Sequence, residues 1–341
     1  MRPSIPLLPV FLAALVAALL PASAHADGLP VLGIDVGSTG VASNANADAA
    51  RYLALPAGGR TIVERVAQRG GQILAWRSLP GTFTIPAVAY DGSAGGLSAD
   101  GTTLLLIEPR VAFPRATTKM LVLNSDSLKP RRLVTLRGDF SFDAISPTGS
   151  WLYFVHYTSP TDPTRYLVQA FDVQRGRLLA KPIVDPKASG EKMRGNPLAR
   201  TMSADGRWAY TLYDGAGATP FVHALDTVAR SAHCIDLDGI AAGTDLWQLR
   251  LRIDQDGKRL VVRDSAAPVL TVDLRTLRVA RATAVPAPLG ASRHLPTSLF
   301  AGGAGLLLVL VLSVIWMRRK HRPTRTSLAS VRRVREPTAG Q

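Results

Sequence analysis

Ser203-Ala204-Asp205-Gly206 runs into Arg207-Trp208-Ala209-Tyr210-Thr211-Leu212, where Trp208, Tyr210 and Leu212 alternate with smaller residues. Alternation at period two is the pattern of a strand with one buried face. Asp-Gly just before it is turn chemistry, because glycine takes positive φ at no steric cost and aspartate bonds its own backbone. The same element recurs as Ser98-Ala99-Asp100-Gly101, Ser146-Pro147-Thr148-Gly149 and Asp254-Gln255-Asp256-Gly257. Its glycines stand 48, 57 and 51 residues apart. A period of that size marks a repeated small β unit.

Working outward from each turn gives the rest of the unit. A first strand ends at the turn, and a second leaves it: Leu104 to Ile107, Trp151 to His156, Trp208 to Leu212 and Leu260 to Arg263. After a variable loop, a third strand ends in an apolar residue followed by Asn or Asp: Leu123-Asn124, Phe171-Asp172, Leu225-Asp226 and Val272-Asp273. A short polar turn and a fourth strand close it, as in Arg177 to Ile183 or Arg278 to Thr283. Arg51 to Leu55, Thr61 to Ala67 and Gln72 to Ser78 supply an earlier unit whose first strand is less regular and lies near Gly40. Four antiparallel strands per unit of this size is the blade of a β-propeller.

The repeat resembles the WD40-like and YVTN-type propeller repeats, without the Trp-Asp and Gly-His signatures of true WD40 blades. The resemblance covers Arg51 to Val285 and implies an all-β fold of about five four-stranded blades, or six if Val31 to Val36 contributes. It implies nothing about function. Upstream, Gly33-Ile34-Asp35-Val36-Gly37-Ser38-Thr39-Gly40 resembles the first phosphate-binding hairpin of sugar kinases and actin-like ATPases. That match ends after eight residues, with no second phosphate motif and no α/β alternation behind it, so the segment is read as a Gly-rich strand and turn.

Two segments stand outside the repeat. Arg2, the apolar run Leu7 to Leu20 and the small-x-small site Ala24-His25-Ala26 form a secretory signal peptide over residues 1–26. Ser298 to Met317 is twenty residues without a charge, the length that crosses a hydrocarbon core of about 30 Å. Arg318, Arg319, Lys320, Arg322 and Arg325 follow it, and the positive-inside rule places them in the cytoplasm. The expected organisation is therefore a Gly/Ala/Ser-rich lead-in at 27–50, a propeller at 51–285, a juxtamembrane linker at 286–297, a transmembrane helix at 298–317 and a basic tail at 318–341. The body is expected outside the membrane and the tail inside.

Of the formal net charge of +15, the residues from 318 onward carry +7 and Arg2 another +1. The exterior body is left with +7 over some 270 positions, too mild for a nucleic-acid surface. Partners expected are the bilayer through Ser298 to Met317 and a protein or anionic cell-surface ligand. Cys234 is the only cysteine, so no intramolecular disulfide forms, and it is read as a small buried residue of a strand.

Loop length locates the site. First-to-second and third-to-fourth turns are tight, whereas Pro109 to Thr118, Tyr157 to Arg165, Asp214 to Pro220 and Asp185 to Pro197 are long and share the opposite face. Binding residues concentrate on long loops held by a rigid scaffold. The ligand-binding residues expected there are Arg110, Arg115, His156, Tyr157, Asp162, Arg165, Lys192, Arg194 and Asp214, with Lys187 and Glu191 beside them. Cations outnumber carboxylates in this set, which points to an anionic partner.

No catalytic or metal motif is present in the sequence, and the Asp-Gly turns are too short to ligate calcium. The reading is a membrane-anchored binding module with no cofactor. The alternatives are a hydrolase of the lactonase kind, gathering His and Asp from separate blades at the channel mouth, and a transmembrane signalling protein.

Overall fold

The computed structural model describes residues 40–42, 49–188 and 193–282. Within them, nineteen strands form five antiparallel sheets in chain order. The first sheet is β1 (Val41–Ala42), β2 (Ala50–Ala57), β3 (Arg60–Ala67) and β4 (Ile73–Pro80). The second holds β5 (Thr103–Ile107), β6 (Thr117–Asn124) and β7 (Pro130–Arg137). The third is β8 (Phe140–Ile145), β9 (Trp151–Tyr157), β10 (Tyr166–Asp172) and β11 (Arg177–Leu178). The fourth is β12 (Pro197–Met202), β13 (Trp208–Tyr213), β14 (Phe221–Asp226) and β15 (Ser231–Asp236). The fifth is β16 (Arg250–Ile253), β17 (Arg259–Arg263), β18 (Pro268–Asp273) and β19 (Val279–Arg281).

Two turns repeat with the same chemistry. At the Ser-Ala-Asp-Gly type, the leading side chain accepts from the backbone N–H five residues on: Ser98 from Thr103, Ser146 from Trp151, Ser203 from Trp208 and Asp254 from Arg259, all at 2.8–3.0 Å. The motif is thus a side-chain clasp that starts the second strand. At the other turn, Asn124, Asp172, Asp226 and Asp273 each accept the N–H three residues on, at 2.7–2.8 Å. The residue after that takes positive φ: Leu128, Gly176, Arg230 and Leu277. Three of those four are not glycine, so the Asn or Asp side-chain clasp, rather than glycine's freedom, enforces this left-handed corner.

Side-chain alternation hands each sheet's two faces to its two neighbours. Tyr52 and Val63 of the first sheet pack on Leu104, Leu106, Leu121 and Leu123 of the second. Leu105, Met120 and Val122 meet Phe140, Phe154 and Phe171 of the third. Tyr153, Val168 and Ala170 meet Ala209, Leu225 and Ala232 of the fourth, and Leu212, Val222 and Ala224 meet Leu251, Leu260, Val262 and Leu270 of the fifth. Four interfaces between consecutive up-and-down sheets are the packing of a propeller. None of these clusters joins the fifth sheet to the first among the described residues.

The second blade departs from the expected pattern. Its first strand is reduced to two isolated bridges, Thr84↔Ile107 and Leu97↔Leu104, and residues 86–95 leave the sheet between them. They run to the inner strand of the fourth blade, where Tyr90 and Asp91 donate their N–H groups to the carbonyls of Pro197 and Leu198 at 2.9 and 3.0 Å. Gly96 permits the return, since its φ is 97° and a Cβ there would lie 2.6 Å from the Leu105 carbonyl oxygen. The fourth strand of the third blade is also shorter than expected, with only an isolated bridge at Ile183 continuing it.

Among the described residues no helix is long and apolar enough to cross a membrane. The expected signal peptide (1–26), Val31 to Val36, the expected linker (286–297), the expected transmembrane segment Ser298 to Met317 and the basic tail lie outside the described residues.

Candidate functional site

The expected site residues divide into two groups. Arg110 and Arg115 were placed on an open, cationic loop face; the structure corrects both. Arg110 is 2% exposed and its guanidinium donates to Asp139 at 2.6 and 2.9 Å and to Ser141 Oγ at 3.0 Å. Arg115 donates to the carbonyls of Glu108 and Phe140 and gives its backbone N–H to Asp139 at 3.0 Å. Burial, with Arg110 alongside, lowers the Arg115 pKa to about 10, which leaves it charged at neutral pH. The two arginines clamp their own loop to the start of the third blade. The buried carboxylate of Asp139 is the reason, because a buried ion needs a partner and this one has two.

His156 and Tyr157 are neighbours on β9 and so face opposite sides of the sheet. His156 stacks on Phe140 at 4.2 Å, on the side of the sheet turned to the second blade, and has Nδ1 3.0 Å from Gln169 Oε1. Tyr157 is buried below the loop face, with its hydroxyl donating to Ser141 at 3.3 Å and its ring under the Arg110 guanidinium at 4.7 Å. Asp162 and Asp214 serve their own loops: Asp162 accepts from Thr164 N–H and Oγ1, and Asp214 from the Asn196 and Ala216 N–H groups and Asn196 Nδ2. The Thr164 hydroxyl and N–H hold the Asp162 carboxyl below its ordinary pKa. Lys192 and Glu191 lie outside the described residues.

What remains is a groove between the third and fourth sheets on the long-loop face. A cavity of about 300 Å³ is lined by Tyr166, Val168, Ile183, Asp185, Met193, Arg194, Thr219, Phe221, Cys234 and Asp236. A second, of about 400 Å³, lies against Thr158, Ser159, Pro160 and Arg165 and shares Tyr166, Leu167, Met193 and Arg194 with the first. Arg165 and Arg194 are exposed. The floor belongs to an aromatic run that the sequence reading missed: Phe113–Tyr157, Tyr157–Tyr166, Tyr166–Tyr213 and Tyr213–Phe221 centroids are 5.2–6.3 Å apart. Its one legible signal was tyrosine at the loop-side ends of β9, β10 and β13. Cys234, expected to be buried, is half-buried and lines the cavity.

Beneath the groove a polar row crosses the fourth blade. Arg200, Thr211, His223 and Cys234 are successive cross-strand partners and so share the face turned to the third blade. Arg200 pairs with Asp143 at the inner end, while at the outer end Asp185 accepts the Cys234 N–H at 2.8 Å. His223 is 1% exposed and neither ring nitrogen has a hydrogen-bond partner. Burial depresses its pKa to about 4. His233 stands 4.0 Å from Asp185, too far for a hydrogen bond. Among the described residues no histidine reaches a carboxylate in hydrogen-bond geometry, and no three His, Cys, Asp or Glu side chains converge on a metal position.

Fold and site together define a β-propeller with a loop-face groove. No family model and no curated protein sequence matches the chain. Among solved structures it is similar to TolB from Acinetobacter baumannii, at 15% identity over 68% of this chain and 56% of that one, TM-score 0.32. It is similar also to the β-propeller domain of Cps50 (Swd1) from Myceliophteria thermophila, at 13% identity over 74% and 67%, TM-score 0.38. A third is the dihydro-heme d1 dehydrogenase NirN, at 16% identity over 71% and 46%, TM-score 0.42. The chain spans about half the length of TolB and NirN. The propeller assignment rests on the five sheets and their interfaces.

Proposed function

We propose that this chain is a membrane-anchored, extracytoplasmic β-propeller that binds an anionic ligand, a cell-surface polymer or an acidic protein segment, in the groove between its third and fourth sheets. The observation that carries this reading is the state of Arg165 and Arg194. Both line the groove exposed, and neither guanidinium has a hydrogen bond or ion pair with another described residue. Of the two lining acids, Asp185 is held by the Lys187 and Cys234 N–H groups and Asp236 has no such tie, while the nearby carboxylates of Asp162 and Asp214 are occupied by their own loops. An aromatic floor beneath exposed guanidinium groups, whose neighbouring carboxylate Asp162 is tied to its own loop, suits a ligand with charged groups on a less polar backbone. The sequence supports the location: a leader at 1–26, an uncharged run at 298–317 and a basic tail behind it.

The test titrates fluorescent dextran sulfate onto the full chain in detergent, with neutral dextran as control. Binding of the sulfated polymer that weakens with added salt is expected. Equal affinity for the neutral polymer, or no salt dependence, would defeat the reading.

A further inference from the structure

The groove lies where the third sheet is incomplete. In the first, second and fourth sheets the outer strand reaches the first residue of the third strand: Arg60 pairs with Pro80, Thr117 with Arg137 and Phe221 with Asp236. In the third sheet β11 pairs with Phe171 and Asp172 alone, and a single bridge, Val168↔Ile183, continues it. Two residues further on the chain leaves for the next blade, where Asp185 accepts the Cys234 N–H of β15 at 2.8 Å. Tyr166, the first residue of β10, therefore has no strand on its outer side among the described residues. Its backbone points into that gap, because antiparallel strands bond through alternate residues. Thr158 donates to the Arg165 carbonyl at 3.0 Å, which commits Arg165 and Leu167 to the β9 side. Leu179 and Ile183 donate to the Ala170 and Val168 carbonyls at 2.8 Å, which turns the even-numbered residues outward. Among the described residues the outward N–H and C=O of Tyr166 have no partner.

We infer that this open edge binds an extended acidic peptide, which adds the missing outer strand to the third blade. An unpaired edge is a template for a further strand, with main-chain bonds supplying affinity and flanking pockets supplying choice. The two cavities of the groove, of about 300 and 400 Å³, both border Tyr166 and Leu167, so they run along the edge. The first is walled by Ile183, Met193, Phe221 and Cys234 and takes an apolar side chain. The second presents the exposed Arg165 and Arg194 to a carboxylate beside it. Asp236 is exposed and lines the first cavity alone, which sets the acids of the peptide at the arginine end. A polysaccharide would use the arginines but neither the backbone edge nor the apolar cavity, whereas a peptide uses all three. The inference rests on the anionic-ligand reading of the groove and commits its ligand to a protein segment.

The probe is fluorescein-labelled Glu-Glu-Thr-Leu-Thr amide, its leucine meant to lie opposite Tyr166 with the side chain in the apolar cavity. It is titrated to about 1 mM against the full chain in detergent, beside the same peptide N-methylated at leucine. Methylation keeps every charge and side chain but removes one strand bond, so it separates edge pairing from charge attraction. Expected are saturable binding that weakens with salt, a loss of about tenfold on methylation, and a similar loss for Arg165→Gln with Arg194→Gln. Hydrogen–deuterium exchange at the Tyr166 amide should slow in the complex. Equal binding of the methylated peptide, no binding, or a Tyr166 amide indifferent to the peptide overturns the inference. So does a Tyr166 amide already protected in the free chain, whose own residues then fill the edge. Salt-dependent binding of dextran sulfate without a methylation effect leaves an anionic-polymer site and removes the peptide alone, whereas failure of both probes removes the groove as an anion site.

Discussion

Arg200 on β12 and Asp143 on β8 form an ion pair across the inner edge of the third and fourth blades, with side chains only 4% and 3% exposed. Asp91 binds into the same place, accepting the Arg200 N–H at 3.2 Å, and Ser93 donates to the Arg200 carbonyl at 3.3 Å. The pair thus joins two blades and the excursion from the second. Removing one member leaves a buried charge alone. Asp143→Asn or Arg200→Met should each cost about 3–5 kcal/mol in urea unfolding, and the double replacement by Leu should cost less than either. Additive losses in the double variant would mean that the ion pair is not the joint.

Gly96 and Gly257 both have positive φ, yet they should respond differently to alanine. At Gly257 an added Cβ meets open space, so only backbone strain of about 1 kcal/mol is expected. At Gly96 the Cβ would press on the Leu105 carbonyl, a backbone atom held in the second sheet by its neighbours. Loss of the native transition for Gly96→Ala beside a drop of a few degrees for Gly257→Ala is the expected thermal-melt result. Equal shifts would mean that the excursion of 86–95 does not depend on that close return.

The Asp-Gly elements and the Asn/Asp after each third strand announced the blades because both are local clasps, complete within about five residues of chain. Register and loop length follow from such turns. The excursion of the second blade was hidden because its partners, Pro197 and Leu198, lie a hundred residues away. The site divided for the same reason. Arg165 and Arg194 were legible as exposed cations on long loops, whereas nothing near Arg110 in the sequence says that Asp139 will be buried beneath it. Composition reports charge, but pairing across blades decides which charges remain free.

Cys234 is the only thiol and lines the groove, so it reports on the groove's occupancy. Maleimide should label it in the native state, and Thr219→Trp, at an exposed lining position, should slow labelling without altering stability. Dextran sulfate should slow it as well. In the same titrations, Arg165→Gln with Arg194→Gln should lower the log–log salt slope of binding by roughly two, one unit for each cation removed. Labelling indifferent to the polymer would place any bound polymer elsewhere.

His223 should control the acid limb of stability. Its folded pKa is held near 4 by burial, against about 6.5 in an unfolded chain. Between these values the unfolded state binds more protons than the folded one, so stability rises with pH through this window. The contribution is fully present above pH 6.5 and is lost as pH falls towards 4. Between pH 7.5 and pH 5 the loss expected from this one residue is about 2 kcal/mol. Folding free energies of the wild type and of His223→Leu at the two pH values measure it, and the variant should show a correspondingly flatter dependence. Both ring nitrogens lack partners, so leucine removes unsatisfied polar groups and should not weaken the fold at pH 7.5. A variant as acid-sensitive as the wild type would shift the acid limb to other groups of the polar row.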